Sequence, residues 1–346
     1  MVRRLPESQP LSALKAESQR PYYGSQILAS RGIGAGLRQR AEITLRDLAP
    51  LAAAGVAFSP FLEIGAGSTQ RSAALMNRYG AEGAATDISE SSVRNSPYVL
   101  ALLGCERGPL LVCCDAAHLP FQANTFQFAF CYRSLHHFPN PVPVAAELYR
   151  VLGRGGHLFL NDEPMDSPLK RLLRGRRHLA RPLTRPQRLA TRLGVARLFW
   201  DDSAGELALG MVEVRFDLWV WREALRPFAE VTVEISRRLR LRSDLYRPRL
   251  AALLSGLWGG NVWALCRKDE GEGVVECDLR ERLMCLDCGG TALTRDGTSL
   301  TCGGCGREYP ITGGVIRMLP RELETALYGE TRAALGDSVV SRPDAG

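Results

Sequence analysis

From residue 60 the chain alternates short apolar runs with longer stretches of helical character, which predicts a parallel sheet covered by helices. The expected strands are FLEIGAG (61–67), AEGAATDIS (81–89), PLLVCCDA (109–116), FQFAFCYRSL (126–135) and GGHLFLNDE (155–163). Farther on come a helical WVWREALRPF (219–228), a strand-like AEVTVEIS (229–236) and a final GNVWALCRK (260–268). The last two strands are placed as an antiparallel edge. Residues 1–55 read as helices broken by a Gly-rich turn at RGIGAG (31–36), and no internal repeat interrupts the pattern.

Composition adds a second module and a compartment. A chain of 346 residues, 45% of them hydrophobic, buries one full core and leaves length for a satellite. Neither a run of eighteen apolar residues nor a secretory leader is visible, so a cytoplasmic protein is expected. Of ten cysteines, four stand in two C-x2-C pairs, which suits metal binding in a reducing compartment. Cys105, Cys113, Cys114 and Cys131 read as small buried hydrophobes. The net charge of +7 is local: residues 167–200 carry ten Lys or Arg and no acid, and without them 34 basic residues face 37 acidic ones. An electrostatic partner is expected to dock there.

The candidate chemistry sits at the strand ends. FLEIGAGST places a carboxylate and two glycines where a first strand gives way to a helix, so that backbone amides can approach a ligand. Such turns serve many nucleotides. Twenty-four residues after Glu63, the second strand ends at Asp87, where a carboxylate accepts from both hydroxyls of a ribose. The third ends at Asp115, placed to accept from an adenine amine. Capping of helices is the plain alternative for each acid taken singly. Three acids at successive strand tips converge on one sheet edge, the place where open α/β proteins bind ligands.

Together, EIGAGS, TDIS, the D-A-x-x-L-P-F of Asp115–Phe121, the SLHHF of Ser134–Phe138 and ELYRVLGRGGHLFLNDEP resemble class I S-adenosylmethionine (SAM)-dependent methyltransferases of the ubiquinone and menaquinone biosynthesis type. The resemblance covers about residues 56–165. It implies a Rossmann-like, mostly parallel seven-stranded sheet with helices on both faces, spanning 56–268. It further implies that Glu63, Gly65, Ala66 and Gly67 border the methionine part of SAM, and that Asp87 with Ile88 holds the ribose. Asp115 with Ala116 would face the adenine, and Arg133 with Ser134 the sulfonium and substrate. Thr69 stands where the family usually has a third glycine, and Gln127 where it usually has aspartate. His136 and His137 follow the fourth strand: one serves as a general base, or both pack and cap the next turn. Tyr22 and Tyr23 either close over the cofactor or pack. The Asn/Asp-Pro-Pro-Tyr/Phe motif of amino-nitrogen methyltransferases is absent, which favours an oxygen or carbon acceptor.

After a linker at 269–283, residues 284–320 hold Cys285 and Cys288, thirteen intervening residues, then Cys302 and Cys305. This spacing brings two knuckles around one tetrahedral, structural Zn²⁺. The segment resembles the small zinc-ribbon subunits that activate tRNA, rRNA and release-factor methyltransferases, which implies recognition of a partner protein or substrate; a stabilising appendage is the alternative. Residues 321–346 read as a flexible tail with a short helical stretch. For the basic insertion three readings stand: an amphipathic element on an anionic membrane, which would make the protein peripheral, a phosphate-binding patch for RNA, or a lid over a small acidic substrate. The preferred function is methyl transfer to a small-molecule or lipid-like acceptor. An RNA methyltransferase is the alternative, since no aromatics interleave the arginines to stack bases, and a non-catalytic partner subunit of the same fold is the second.

Overall fold

The structure, a computed structural model, describes residues 33–165, 216–234, 242–244, 260–274 and 278–336. The expectations for Tyr22, Tyr23, the basic insertion 167–200 and residues 337–346 lie outside these.

Five parallel strands form the centre: β1 (Phe61–Ile64), β2 (Gly83–Asp87), β3 (Leu110–Cys113), β4 (Phe126–Tyr132) and β5 (Leu152–Met165). They lie in the order β5-β4-β1-β2-β3. Beyond β5 come β8 (Gly260–Arg267), then β6 (Glu230–Glu234) and β7 (Arg242–Asp244), each antiparallel to its neighbour. Alternation along the strands explains why both faces are apolar. Leu62, Ile64, Ala129, Cys131, Leu158 and Leu160 enter one core, while Phe61, Phe128, Phe130, Tyr132 and Phe159 enter the other. The second core is closed by α1 (Ile33–Ala53) and α2 (Gln70–Tyr79).

The Gly-rich turn expected at 31–36 is corrected from Ile33 onward, where α1 begins. Leu37, Ala41, Thr44, Leu48 and Leu51 are buried at helical spacing, and that packing outweighs the low helix propensity of Gly34 and Gly36.

The sheet also departs from the expected seven mostly parallel strands. Among the described residues it is mixed and has twelve, because the cysteine segment does not stand apart. Its strands β9 (Leu293–Asp296), β10 (Ser299–Cys302), β11 (Glu308–Thr312) and β12 (Val315–Arg317) form an antiparallel run, and β12 adds in parallel to β3, pairing Ile316 with Val112 and Arg317 with Cys113. The end of the expected linker is docked too. Gln122 N donates to Arg282 O at 2.8 Å and Met284 N to Pro120 O at 3.0 Å. Nor is the segment after 320 a loose tail at its start: α7 (Arg321–Gly336) buries Leu323 and Leu327 against β3 and β12. Among the described residues no helix is long and apolar enough to cross a membrane.

Candidate active site

The carboxyl ends of β1 to β5 meet along one edge, and hydrogen bonds join each tip to the next. Ala66 N donates to Thr86 O at 2.9 Å, linking the β1 loop to β2, and Cys114 N donates to Asp87 O at 3.0 Å, linking β3 to β2. Asp87 fastens this edge with its side chain: Oδ2 accepts from Gly67 N and Oδ1 from Ser89 N, each at 2.9 Å. A carboxylate oxygen has two lone pairs, so both oxygens keep acceptor capacity for further hydroxyls. Burial raises the Asp87 pKa, while the amides of Ser89, Gly67 and Ile88 pull it down.

Glycine is required at two points of the first loop. Gly65 (φ 63°) passes so close to β4 that an added Cβ would meet Ser134 Oγ, and Gly67 (φ 53°) faces open space. Thr69, at φ 62°, holds the left-handed conformation that a glycine would adopt without strain, which accounts for the resemblance to a three-glycine loop. Arg133 (φ 51°) and Asp162 (φ 64°) are in the same region at the tips of β4 and β5, their side chains 3.6 Å apart. Strained backbone of this kind gathers at functional edges.

Glu63 is itself buried. Its Oε2 accepts from Ser72 N at 3.0 Å and Ser72 Oγ at 2.5 Å under the start of α2, and burial lifts its pKa to about 7 against the opposing pull of Arg71 and Ser72. A carboxyl raised in the folded state contributes stability below its ordinary value of 4.5, lost as pH rises through about 7. In Glu63→Gln the melting temperature should therefore vary less with pH between about 4.5 and 7 than in the wild type. Parallel melting curves would count against a buried, raised Glu63.

At β3, Asp115 is buried, with Oδ1 accepting from Ala117 N at 3.1 Å and Oδ2 2.9 Å from Nδ1 of the exposed His118. The E-L-Y-R and L-P-F motifs form one clamp. Glu147 Oε2 accepts from Leu119 N at 2.9 Å and binds Arg150 at 2.7 Å, while Arg150 donates to the carbonyls of Leu119 and Phe121. Thus E-L-Y-R on α5 (Pro141–Val151) holds L-P-F in place.

The group that sequence reasoning missed is Glu163. Two residues of β5, Asn161 and Asp162, stand opposite Trp263 alone, and this bulge aims Glu163 under the loop after β4. Its Oε1 accepts from the amides of Ser134 and Leu135 at 2.7 and 3.1 Å, and its Oε2 from His136 N at 3.1 Å. The His136 ring completes the set, with Nδ1 2.9 Å from Oε2. Burial opposes ionisation of Glu163, but these partners, His136 foremost, hold its pKa below the ordinary value. His136 is fully buried, whereas His137 is half-buried, its ring centroid 4.1 Å from that of His136. The acid at the end of LFLNDE was the available signal.

Away from this edge, Cys285, Cys288, Cys302 and Cys305 gather with all four sulfurs within 4.8 Å of one another. The knuckles repeat each other: Gly289 N donates to Cys285 O and Gly306 N to Cys302 O, with φ of 70° and 71° at the two glycines.

Residues 62–160 match the Methyltransf_11 family, a methyltransferase domain. No curated protein matches the chain. Among solved structures, similarity is found to a chain of the complex between the Haloferax volcanii Trm112 methyltransferase activator and a proposed methyltransferase (16% identity, 72% of this chain and 98% of that one, TM-score 0.43). It extends to Haemonchus contortus phosphoethanolamine N-methyltransferase 2 (13%, 77% and 62%, 0.45) and to the YcgJ protein of Bacillus subtilis (17%, 62% and 93%, 0.37). The family match runs from β1 through most of β5, the strands that build the Asp87 edge, and over that span the chain carries a methyltransferase domain.

Proposed function

We propose that the chain transfers the methyl group of SAM to a small-molecule or lipid-like acceptor, at oxygen or carbon. The observation that carries the cofactor reading is the Asp87 junction: one carboxylate tied to Gly67 and Ser89, with capacity left for two hydroxyls. In this reading Asp87 and Ile88 hold the ribose, Asp115 and Ala116 border the adenine, and Gly65, Ala66 and Gly67 line the methionine part. Glu63, turned inward, shapes that loop from beneath.

SAM supplies an electrophilic methyl on a sulfonium, so the protein's task is alignment and, for a hydroxyl or acidic carbon, removal of a proton. Glu163 fixes the turn after β4 through three amides and locks the His136 ring behind it. His137, the half-buried ring of the pair, is placed to accept the acceptor's proton, and Arg133 and Ser134 border the approach.

The four thiolates fit Zn²⁺: sulfur pairs at 3.6 Å compare with an edge of about 3.8 Å in a tetrahedron of ~2.3 Å bonds. A closed shell of four sulfurs makes this metal structural.

The test is formation of S-adenosylhomocysteine from SAM across a panel of hydroxyl- and carbon-acid acceptors. Turnover with at least one is expected, and His137→Ala should cut kcat by about 10²-fold or more while leaving SAM affinity intact. Turnover only on RNA would overturn the acceptor class, and undiminished kcat would remove His137 from its role.

A further inference from the structure

Ribose-loop residues 87–90 depend on side chains from more than two hundred positions away. Glu90, which opens the short helix α3 (Glu90–Val93), is a buried carboxylate. Its nearest cation comes from β12: Arg317 Nη1 lies 2.7 Å from Glu90 Oε2, whereas Arg94 on the exposed side is 3.7 Å from Oε1. Arg317 is in turn fixed from α7. Its Nε donates to Glu324 at 3.0 Å, and its guanidinium lies 4.1 Å over the Tyr328 ring. The same tyrosine reaches the loop by a second route, with its hydroxyl 3.9 Å from Cys113 Sγ, which donates to Ile88 O at 3.4 Å.

Apolar packing follows the same path. Ala66 of the first loop and Val93 share one buried cluster with Val315, Leu319, Leu323 and Leu327, and Ile88 packs against it. Arg317 thus does more than join two surfaces: it neutralises a buried charge on the residue next to Ser89, whose amide is bound by Asp87.

We infer that Arg317 is a positioning residue for the cofactor: through Glu90 it sets the backbone of residues 87–90, so that the C-terminal segment determines how tightly SAM is held. This rests on the reading of Asp87 as the ribose acceptor. Because the contact lies on the nucleoside side, it predicts equal effects on SAM and its demethylated product.

The experiment is calorimetric titration of the full chain with SAM and S-adenosylhomocysteine in Arg317→Met, Glu90→Gln and the double variant, each with its melting temperature. Each single variant is expected to bind both ligands about tenfold more weakly. The double should bind no worse than the weaker single, since the two side chains act as one unit. Arg317→Lys, keeping the charge without the two-pronged donor geometry, should recover part of the loss. Folded single variants that melt lower yet bind as wild type would overturn the inference in favour of a purely structural role, as would strictly additive losses. If Arg317→Met fails to fold, Glu90→Gln, which retains an acceptor for Arg317, carries the test. Asp87→Ala separates the two readings: if it binds normally the site assignment fails, and if it alone loses binding only the Arg317 link fails.

Discussion

Replacing Asp87 with alanine is expected to weaken binding of SAM and S-adenosylhomocysteine at least a hundredfold while the protein stays folded. The magnitude follows from two hydrogen bonds to a charged acceptor, each contributing about 1.5–3 kcal/mol, or roughly 3 kcal/mol at the low end and two decades of affinity. The fold survives because burial already disfavours the charge: the Asp87 pKa is raised, so the protein without ligand holds the carboxylate at a cost that alanine removes. What alanine loses are the links to Gly67 N and Ser89 N, at the exposed end of an otherwise intact sheet. The same shift carries a pH signature. If the ionised form binds the ribose, affinity should begin to fall, as pH is lowered, above the ordinary aspartate value of 3.8. Calorimetry on Asp87→Ala, with circular dichroism as the folding control, decides the matter. A folded variant of unchanged affinity would remove Asp87 from the site, and an unfolded one would show that its two amide links are structurally essential.

The parts of the fold legible in the sequence were those where local pattern and tertiary packing agree. FLEI, LLVC and FQFAFCY are buried on both faces, so their continuous apolar runs mark strands directly. The glycines of EIGAGS and the acids at Asp87 and Asp115 stand at strand tips that a βαβ rhythm locates. What escaped depends on long-range geometry. Nothing in EYPITGGVIRML announces that VIR will lie in parallel beside LLVC, since short apolar runs do not name their neighbours. Glu163 was hidden for a related reason. Strict alternation through β5 gives no sign of the bulge at Asn161 and Asp162 that re-aims it, and nothing in SLHHF names the acid that fixes His136. The α1 start shows the converse, with two glycines that signal a turn absorbed into a helix because Leu37, Leu48 and Leu51 have a core to fill.

Because β12 belongs to the main sheet, loss of the metal proposed for the four cysteines should be felt well beyond the ribbon. Cys285 and Cys302 are buried in the same core as Leu110, Val112 and Phe121, so the four-cysteine cluster and the centre of the molecule share one apolar cluster. Purified protein is expected to hold one zinc per chain. Cys302→Ser should lose it and melt at least about 6 °C lower, since ~3 kcal/mol or more of destabilisation moves a domain of this size by about 2–4 °C per kcal/mol. Removing zinc with a chelator should reproduce the shift in the wild type and leave Cys302→Ser unchanged, which separates metal loss from the cost of replacing a buried sulfur. If β12 leaves with the ribbon, the edge of β3 is bared, an unpaired row of amides and carbonyls that invites association, so the metal-free protein should also aggregate on heating. Metal-free protein of full stability would mean that the sulfurs hold no structural ion. A stable metal-bound wild type beside a Cys302→Ser variant that loses zinc but melts normally would show that the sheet extension stands without its ribbon.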